Sequence, residues 1–517
     1  MSDRSIVIKP VGAPRGAKLE RKPILVHWLC LFAFLGLAAP TAISYAPYGL
    51  SWDPAYYLHN AVCMNHALYE FSLSHVAECL SNTTKGPIMD LFTLPWGRTG
   101  GTLWGVGLAF VGLAVFTWIL VLLTYLTCVR GGIPRVSVLI AGASVCLTPF
   151  LRLNAGAMMT DTLLGWCVAL GLMLIPLEYS DPQKFWWPSF FRGLLWSFII
   201  NVGLLSKATF IFFLGAIGIT LLVIRWRRSG TRPLLYSLIG CLFGSTPALL
   251  IWLMYGENFL RFAVRAAVSW AQLYSIPGMT SVGYLKRYFG DLGFALLPLL
   301  VLVILFSRGL FIEAEGRLVR LLPIGIVLVY LGTASISQNR DPRFTIPVMI
   351  AMPIALCWTT LRKHSELPSR ATPIMVALLV GVMCAIPMVG KPEIDPILRT
   401  EQLLKDLSHG RPMGVMVATE GGYFNIDTVE LARQIGGHYL QGVRVDTVAY
   451  DEINNRTVEE GLRRIAKSDY VLFLKPGNSP SPDWTSTHAE DYRSYCEKIG
   501  TLMNTQTSPD FEVYKIH

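Results

Sequence analysis

The stretch TLWGVGLAFVGLAVFTWILVLLTYLT, Thr102 to Thr127, runs without a single charged side chain. A helix rises about 1.5 Å per residue, so roughly 20 apolar residues cross the ~30 Å hydrocarbon core of a bilayer. This run is long enough, and others like it follow. About eleven lie between Ile24 and Val389, at 24–50, 102–127, 135–151, 160–177, 191–206, 208–224, 233–255, 291–308, 319–337, 344–361 and 372–390. The whole chain of 517 residues is 53% hydrophobic and only 15% charged, with mean hydropathy +0.47, values outside those of an ordinary soluble domain. The fold class is a polytopic α-helical membrane protein.

Charge gives the orientation. The basic tail 1–23 precedes a first run too long for a signal-peptide core, and no small-residue cleavage pattern follows it, so it reads as a retained helix. Lys and Arg number 20 in the N-terminal tail and the loops on its side, against 10 in the alternate loops. The first side is therefore cytoplasmic. An odd number of spans then puts everything after them outside, in a bacterial cell the periplasm. The net charge of +10 is a topology signal of this kind, and nucleic acid is not an expected partner.

After Gly390 the pattern changes. From 391 to 517, strand-like strings (MGVMVAT, SDYVLFLK, FEVYKIH) alternate with helix-like ones (TVELARQIGG), which predicts a small soluble α/β domain outside the membrane. The spans and their loops, 24–390, form the other unit, with large outside loops at 51–101 and 256–290. In the first, Leu58, Ala61, Met64, Leu68 and Phe71 recur every three or four residues and predict a helix along the membrane surface. FLRFAVRAAVSWAQLY, 259–274, predicts a second. Cys63 and Cys79 share the first loop in an oxidising compartment, so a disulfide is expected between them. With no CxxC pair, neither a zinc nor a redox site is supported.

Charges at a membrane's edge cost several kcal/mol unless paired or wetted, which makes them candidates for function. On the outside these are Asp53, Lys85, Arg152, Asp161, Lys207, Arg261, Arg265, Lys286, Arg287, Arg340, Asp341 and Arg343. Cations with a carboxylate around one cavity suit a reaction in which a phosphate is held while a hydroxyl is activated. Each has a plainer reading. Asp53 before Pro54 is also a helix N-cap, as Asp161 is for its own span. Lys85 and Lys207 could snorkel to headgroups, and Arg343 could pair with Asp341 in a tight loop. Tyr56 and Tyr57 fit an interfacial aromatic belt as well as a sugar pocket.

SWDPAYYL, KGPIMDLFTLP, AGAMMTDTLLGWCVALGL, LLSKATFIFF and DPRFTIPV, in that order, resemble motifs of membrane glycosyltransferases of the GT-C class. The resemblance covers roughly 24–390 and points to the branch of aminoarabinose transferases and protein O-mannosyltransferases. It implies a GT-C bundle that transfers a sugar, with inversion, from a polyprenyl-phosphate donor to a lipid, glycan or protein acceptor on the non-cytoplasmic face. On that footing Asp53 is the catalytic residue that accepts a proton from the acceptor hydroxyl. Lys85, Asp161, Lys207 and Arg343, with Tyr56 and Tyr57, bind substrate. Pro54 stands where family members often carry a second acid, and KGP replaces KPP. A divalent metal is thus unsupported, and no cofactor is expected. A transporter or flippase also wants charged cavities, but transporters tend to show internal repeats, of which none is visible here.

Overall fold

The computed structural model describes residues 24–42, 52–81, 87–93, 103–155, 160–182, 185–265, 279–312, 317–337, 340–359, 395–421, 424–451, 456–475, 487–503 and 508–517. The bundle comprises α1 (Ile24–Ala42), α2 (Trp52–Tyr69), α3 (Leu73–Ser81), α4 (Ile88–Phe92), α5 (Leu103–Arg130), α6 (Arg135–Cys146), α7 (Pro149–Ala155), α8 (Thr160–Ser180), α9 (Trp186–Ser206), α10 (Phe210–Ser229), α11 (Thr231–Val264), α12 (Ser281–Leu292), α13 (Leu296–Ile312), α14 (Arg317–Ile336) and α15 (Ile346–Leu356). Among the described residues, seven helices are long and apolar enough to cross a membrane, and three shorter apolar helices accompany them. The span expected at 372–390 lies outside the described residues.

The middle helix is α8, whose apolar window is buried on every side. Leu, Val and Trp cover its circumference, with no polar stripe to face lipid or water. Its neighbours are α5, α9, α10 and α15. Glycine lets them approach: a Cβ at Gly165 would stand 2.6 Å from the Ile350 side chain of α15. The tightest seam runs between α9 and α11, where a Cβ at Gly193 would fall 2.0 Å from the Ser237 carbonyl and one at Gly240 would fall 2.3 Å from that of Phe190. Small residues at a helix seam let backbones touch, which replaces the hydrophobic drive that lipid removes. Asn201 of α9 enters the ladder of α11, donating to the Gly244 carbonyl (2.8 Å) and accepting from the Ala248 amide (3.1 Å).

Where α8, α9 and α10 meet at the opposite end from Asp161, Glu178 is fully buried. Arg225 donates to it at 2.9 Å and Arg192 at 3.4 Å, while Arg225 also donates to Ser189 Oγ at 2.7 Å. An isolated buried charge would be untenable, so the three spans are tied by the requirement that each ion keep its partner.

Two boundaries differ from the sequence reading. Helix α11 continues as one element of 34 residues through Val264, about 51 Å long, so FLRFAV extends a span above the membrane and does not begin a separate surface helix. Nothing between Pro247 and Arg265 stops it, since a lone Gly256 is tolerated in a packed helix. Among the described residues of that loop, the amphipathic helix is α12, capped by Thr280 and burying Tyr284, Tyr288 and Leu292. On α2, Leu58, Ala61 and Met64 are buried against the protein, while Leu68 and Phe71 are exposed at its far end.

Beyond the spans come α16 (Asp395–Ser408), β1 (Met413–Val417), α17 (Ile426–Ile435), β2 (Val443–Thr447), α18 (Val458–Ile465), β3 (Tyr470–Leu474), α19 (Ala489–Ile499), β4 (Gly500–Leu502) and β5 (Phe511–Ile516). The sheet order is β2-β1-β3-β5-β4, with β1, β2 and β3 parallel and β5 antiparallel to both β3 and β4. Alternation along β1 sends Val415 and Val417 to one face and Met416 to the other, where it meets Ile465, Tyr492 and Cys496 of α18 and α19. Helix α17 packs on α2, and the bundle and this first sheet face share one continuous apolar core. The sheet domain and the first loop therefore stand at the same end of the bundle.

Two measurements test this packing. Glu178→Ala leaves Arg192 and Arg225 buried without their shared carboxylate, and the expected loss is about 3–5 kcal/mol, seen as a lowered melting temperature in detergent. In the sheet domain, burial pushes the Glu420 carboxyl up to about 7, with Asp427 adding to the rise against hydrogen bonds from Thr447, Tyr450 and the Ile426 amide. A folded value raised above the unfolded one, near 4.3, means stability fully present below the lower value and lost as pH rises through about 7. Unfolding of this domain should become easier between pH 5 and 8 in the native sequence, and Glu420→Gln should flatten that dependence.

Candidate active site

Three segments converge at one end of the bundle: the start of α8, the end of α9 and the 3-10 turn Pro342–Thr345 that enters α15. Asp161 stands in the first turn of α8, where a carboxylate complements the helix dipole. Lys207 is the C-cap of α9, in extended conformation, which turns its side chain out of the helix line. Its Nζ meets Asp161 Oδ1 at 2.5 Å and lies 4.9 Å from the Phe344 ring centroid. The acid is the more deeply seated of the two, its side chain 4% exposed against 26% for the lysine.

The third segment forms because Asp341 caps it: its Oδ1 accepts the Arg343 amide at 2.9 Å, and Pro342 takes the first position, where no N–H is needed. The same carboxylate holds the Arg343 guanidinium, Oδ2 accepting from Nε at 2.7 Å and from a terminal nitrogen at 2.6 Å. Burial opposes the charge on Asp341, but Arg343, and after it Lys207, hold its carboxyl below the usual carboxylate range. The two ion pairs thus belong to one electrostatic unit. Tyr284 of α12 donates to the Asp341 carbonyl at 3.2 Å, and Arg340 donates to the Met279 carbonyl, so α12 is fastened to the same turn.

Of the residues named from sequence, Asp161, Lys207 and Arg343 come together here. The reading of Arg343 as paired with Asp341 is also what the structure has. Tyr57 is buried and Tyr56 half-buried, their rings 5.8 Å apart edge to face, and Thr93 Oγ1 donates to the Tyr57 carbonyl at 3.0 Å, tying α2 to α4. Asp53 falls in the first turn of α2, not before it. Its side chain, and Lys85, lie outside the described residues. Sequence reasoning counted Asp341 among the edge charges but gave it no part beyond pairing with Arg343, and it passed over Phe344 and Tyr284. The only signal was the DPRF string itself, since Tyr284 reaches this turn from a helix 57 residues earlier. The open groove of about 410 Å³ on the sheet domain, between β1, β2 and α18, holds none of these residues.

Cys63 of α2 and Cys79 of α3 form the expected disulfide. The hairpin it closes packs through Met64, Ala67 and Leu80 on Tyr255 and Phe259 of α11. The same helix α2 carries Asp53 in its first turn and supports α17, so the bond steadies a surface shared by the loop and the sheet domain.

The fold is that of a known solved structure. ArnT from Cupriavidus metallidurans, bound to undecaprenyl phosphate, superposes over 95% of this chain and 97% of its own with TM-score 0.53, at 12% identity. The archaeal oligosaccharyltransferase AglB from Archaeoglobus fulgidus (11% identity, 95% and 74% covered, TM-score 0.46) and mycobacterial arabinofuranosyltransferase AftD (14%, 95% and 41%, 0.44) are more distant. No family model and no curated protein sequence matches the chain.

The disulfide closes a loop with a sequence separation of 16, for which chain entropy gives about 3 kcal/mol. Replacing both Cys63 and Cys79 by Ser should lower the melting temperature in detergent, and a reducing agent should do the same to the native chain but not to the double variant.

Proposed function

We propose that this protein is an inverting glycosyltransferase that moves a sugar from a polyprenyl-phosphate donor to a lipid, glycan or protein acceptor at the outer face of the membrane. The observation that carries the reading is the pairing of Lys207 with Asp161 beside Arg343 with Asp341, at one end of a bundle with the ArnT fold. Two cations side by side at the membrane surface suit a lipid phosphate, whose tail stays in the bilayer while its head meets the charges. ArnT of this fold is itself bound to such a lipid. The charges sit at the outer edge of the spans and not near their middle, which favours chemistry at the surface over passage through the membrane.

In this mechanism the acceptor hydroxyl attacks the anomeric carbon from the face opposite the phosphate. The carbon–oxygen bond to the phosphate breaks, and the phosphate leaves with the electron pair. The hydroxyl proton passes to Asp53. Lys207, Arg343 and Lys85 stabilise the departing anion, while Tyr56 and Tyr57 line the approach. The donor phosphate, a diester, carries one negative charge; the product, a monoester, approaches two. No metal is required by this scheme. The spans and sheet domain divide the work at about residue 390, with the tail on the periplasmic side of an inner membrane.

With purified protein and a defined polyprenyl-linked sugar, Asp53→Asn should lower turnover by about 100-fold to 10,000-fold while the melting temperature holds. Lys207→Ala should weaken donor binding, because the phosphate loses a charge-assisted contact. Turnover of Asp53→Asn near the native rate with a hydroxyl acceptor would remove the general-base assignment. A protein that carried the lipid across vesicles but never transferred sugar would overturn the reading as a whole.

A further inference from the structure

Resting on that reading, one feature of the site runs against simple phosphate binding: among the described residues, Lys207 and Arg343 are each already paired with a carboxylate. Lys207 and Arg343 bring two positive charges, and Asp161 and Asp341 bring two negative ones. A pocket that served only to hold an anion would leave its cations unsatisfied, because every carboxylate nearby repels the ligand. Both acids also sit deeper than their partners, at 4% and 15% side-chain exposure against 26% and 31%. The cations therefore keep more of their surface accessible than the carboxylates paired with them. An arriving phosphate and the resident carboxylates compete for the same N–H donors.

We propose that Asp341, together with Asp161, is a positioning residue that holds the place of the leaving phosphate, reclaiming Arg343 and Lys207 when the product departs. The charges explain why transfer would need this. As the carbon–oxygen bond breaks, the phosphate goes from one negative charge toward two, so an unopposed cationic site would bind product more tightly than donor. Chemistry would then end in a trapped complex. A resident carboxylate lowers affinity for both, but lowers it more for the dianion, since the repulsion scales with the ligand's charge. Asp341 is suited to the task because its other duty, accepting the Arg343 amide through Oδ1, is one that a neutral amide also performs.

The test is direct binding of undecaprenyl phosphate and of the uncharged polyprenol of equal length to the full protein in nanodiscs, with steady-state kinetics alongside. Asp341→Asn should bind the phosphate about tenfold more tightly and the polyprenol unchanged, with the difference shrinking at high salt. Its kcat and its KM for donor should fall together, because product release slows. Asp341→Glu, which keeps the charge, should not show the tightened phosphate binding, and Asp161→Asn should move the phosphate affinity in the same direction as Asp341→Asn. A merely structural role predicts the opposite sign, a weaker phosphate complex. Unchanged or weaker binding by a folded Asp341→Asn protein, or equal tightening for the polyprenol, overturns the inference while leaving the glycosyltransferase reading in place. Failure of the native protein to bind the lipid phosphate at all overturns both.

Discussion

An ion in a medium of low dielectric must have its counter-ion within reach, and helix α8 carries an acid at each end under that rule. Asp161, near its start, is answered by Lys207; Glu178, near its end, by Arg192 and Arg225. Since α8 is covered by other helices on all sides, neither acid can be rescued by solvent. The spans that supply the partners, α9 and α10, are therefore fixed against α8 in register as well as in contact. The same electrostatic requirement that orders the core at one end assembles the proposed phosphate site at the other.

The glycine seam between α9 and α11 works with this rule. Apolar packing alone would allow one helix to slide past its neighbour, because lipid chains compete equally well for leucine. Gly193 against the Ser237 carbonyl and Asn201 within the α11 ladder each specify a single height. Lys207, six residues beyond Asn201 on the same helix, thereby inherits a defined depth beside Asp161.

How much of this was legible in the sequence follows from which signals are local. A span needs only a sustained apolar run, so Leu103–Arg130 and its fellows were readable within a few residues of their ends. The sheet domain was equally visible, as its strand and helix periods alternate. The extension of α11 was not, because amphipathic FLRFAV looks the same whether it starts a helix or prolongs one. At the site, Asp161, Lys207 and Arg343 could be named from charge at span ends, since such charge is rare and costly. Their mutual pairing could not, because Lys207 and Asp161 are 46 positions apart and their contact depends on how two spans stand together. Asp341 was masked by its own neighbour: the tight turn with Arg343 explains it locally, and only its nearness to Lys207 gives it a larger part.

The seat of α17 on α2 joins segments that lie roughly 370 positions apart, so it is among the most non-local contacts in the molecule. During synthesis α2 emerges early and must wait until the later spans have been threaded and the sheet domain has folded. A chain halted before α17 would present an inserted bundle with the apolar face of α2 bare. Completion of the sheet domain is thus also the step that covers this surface.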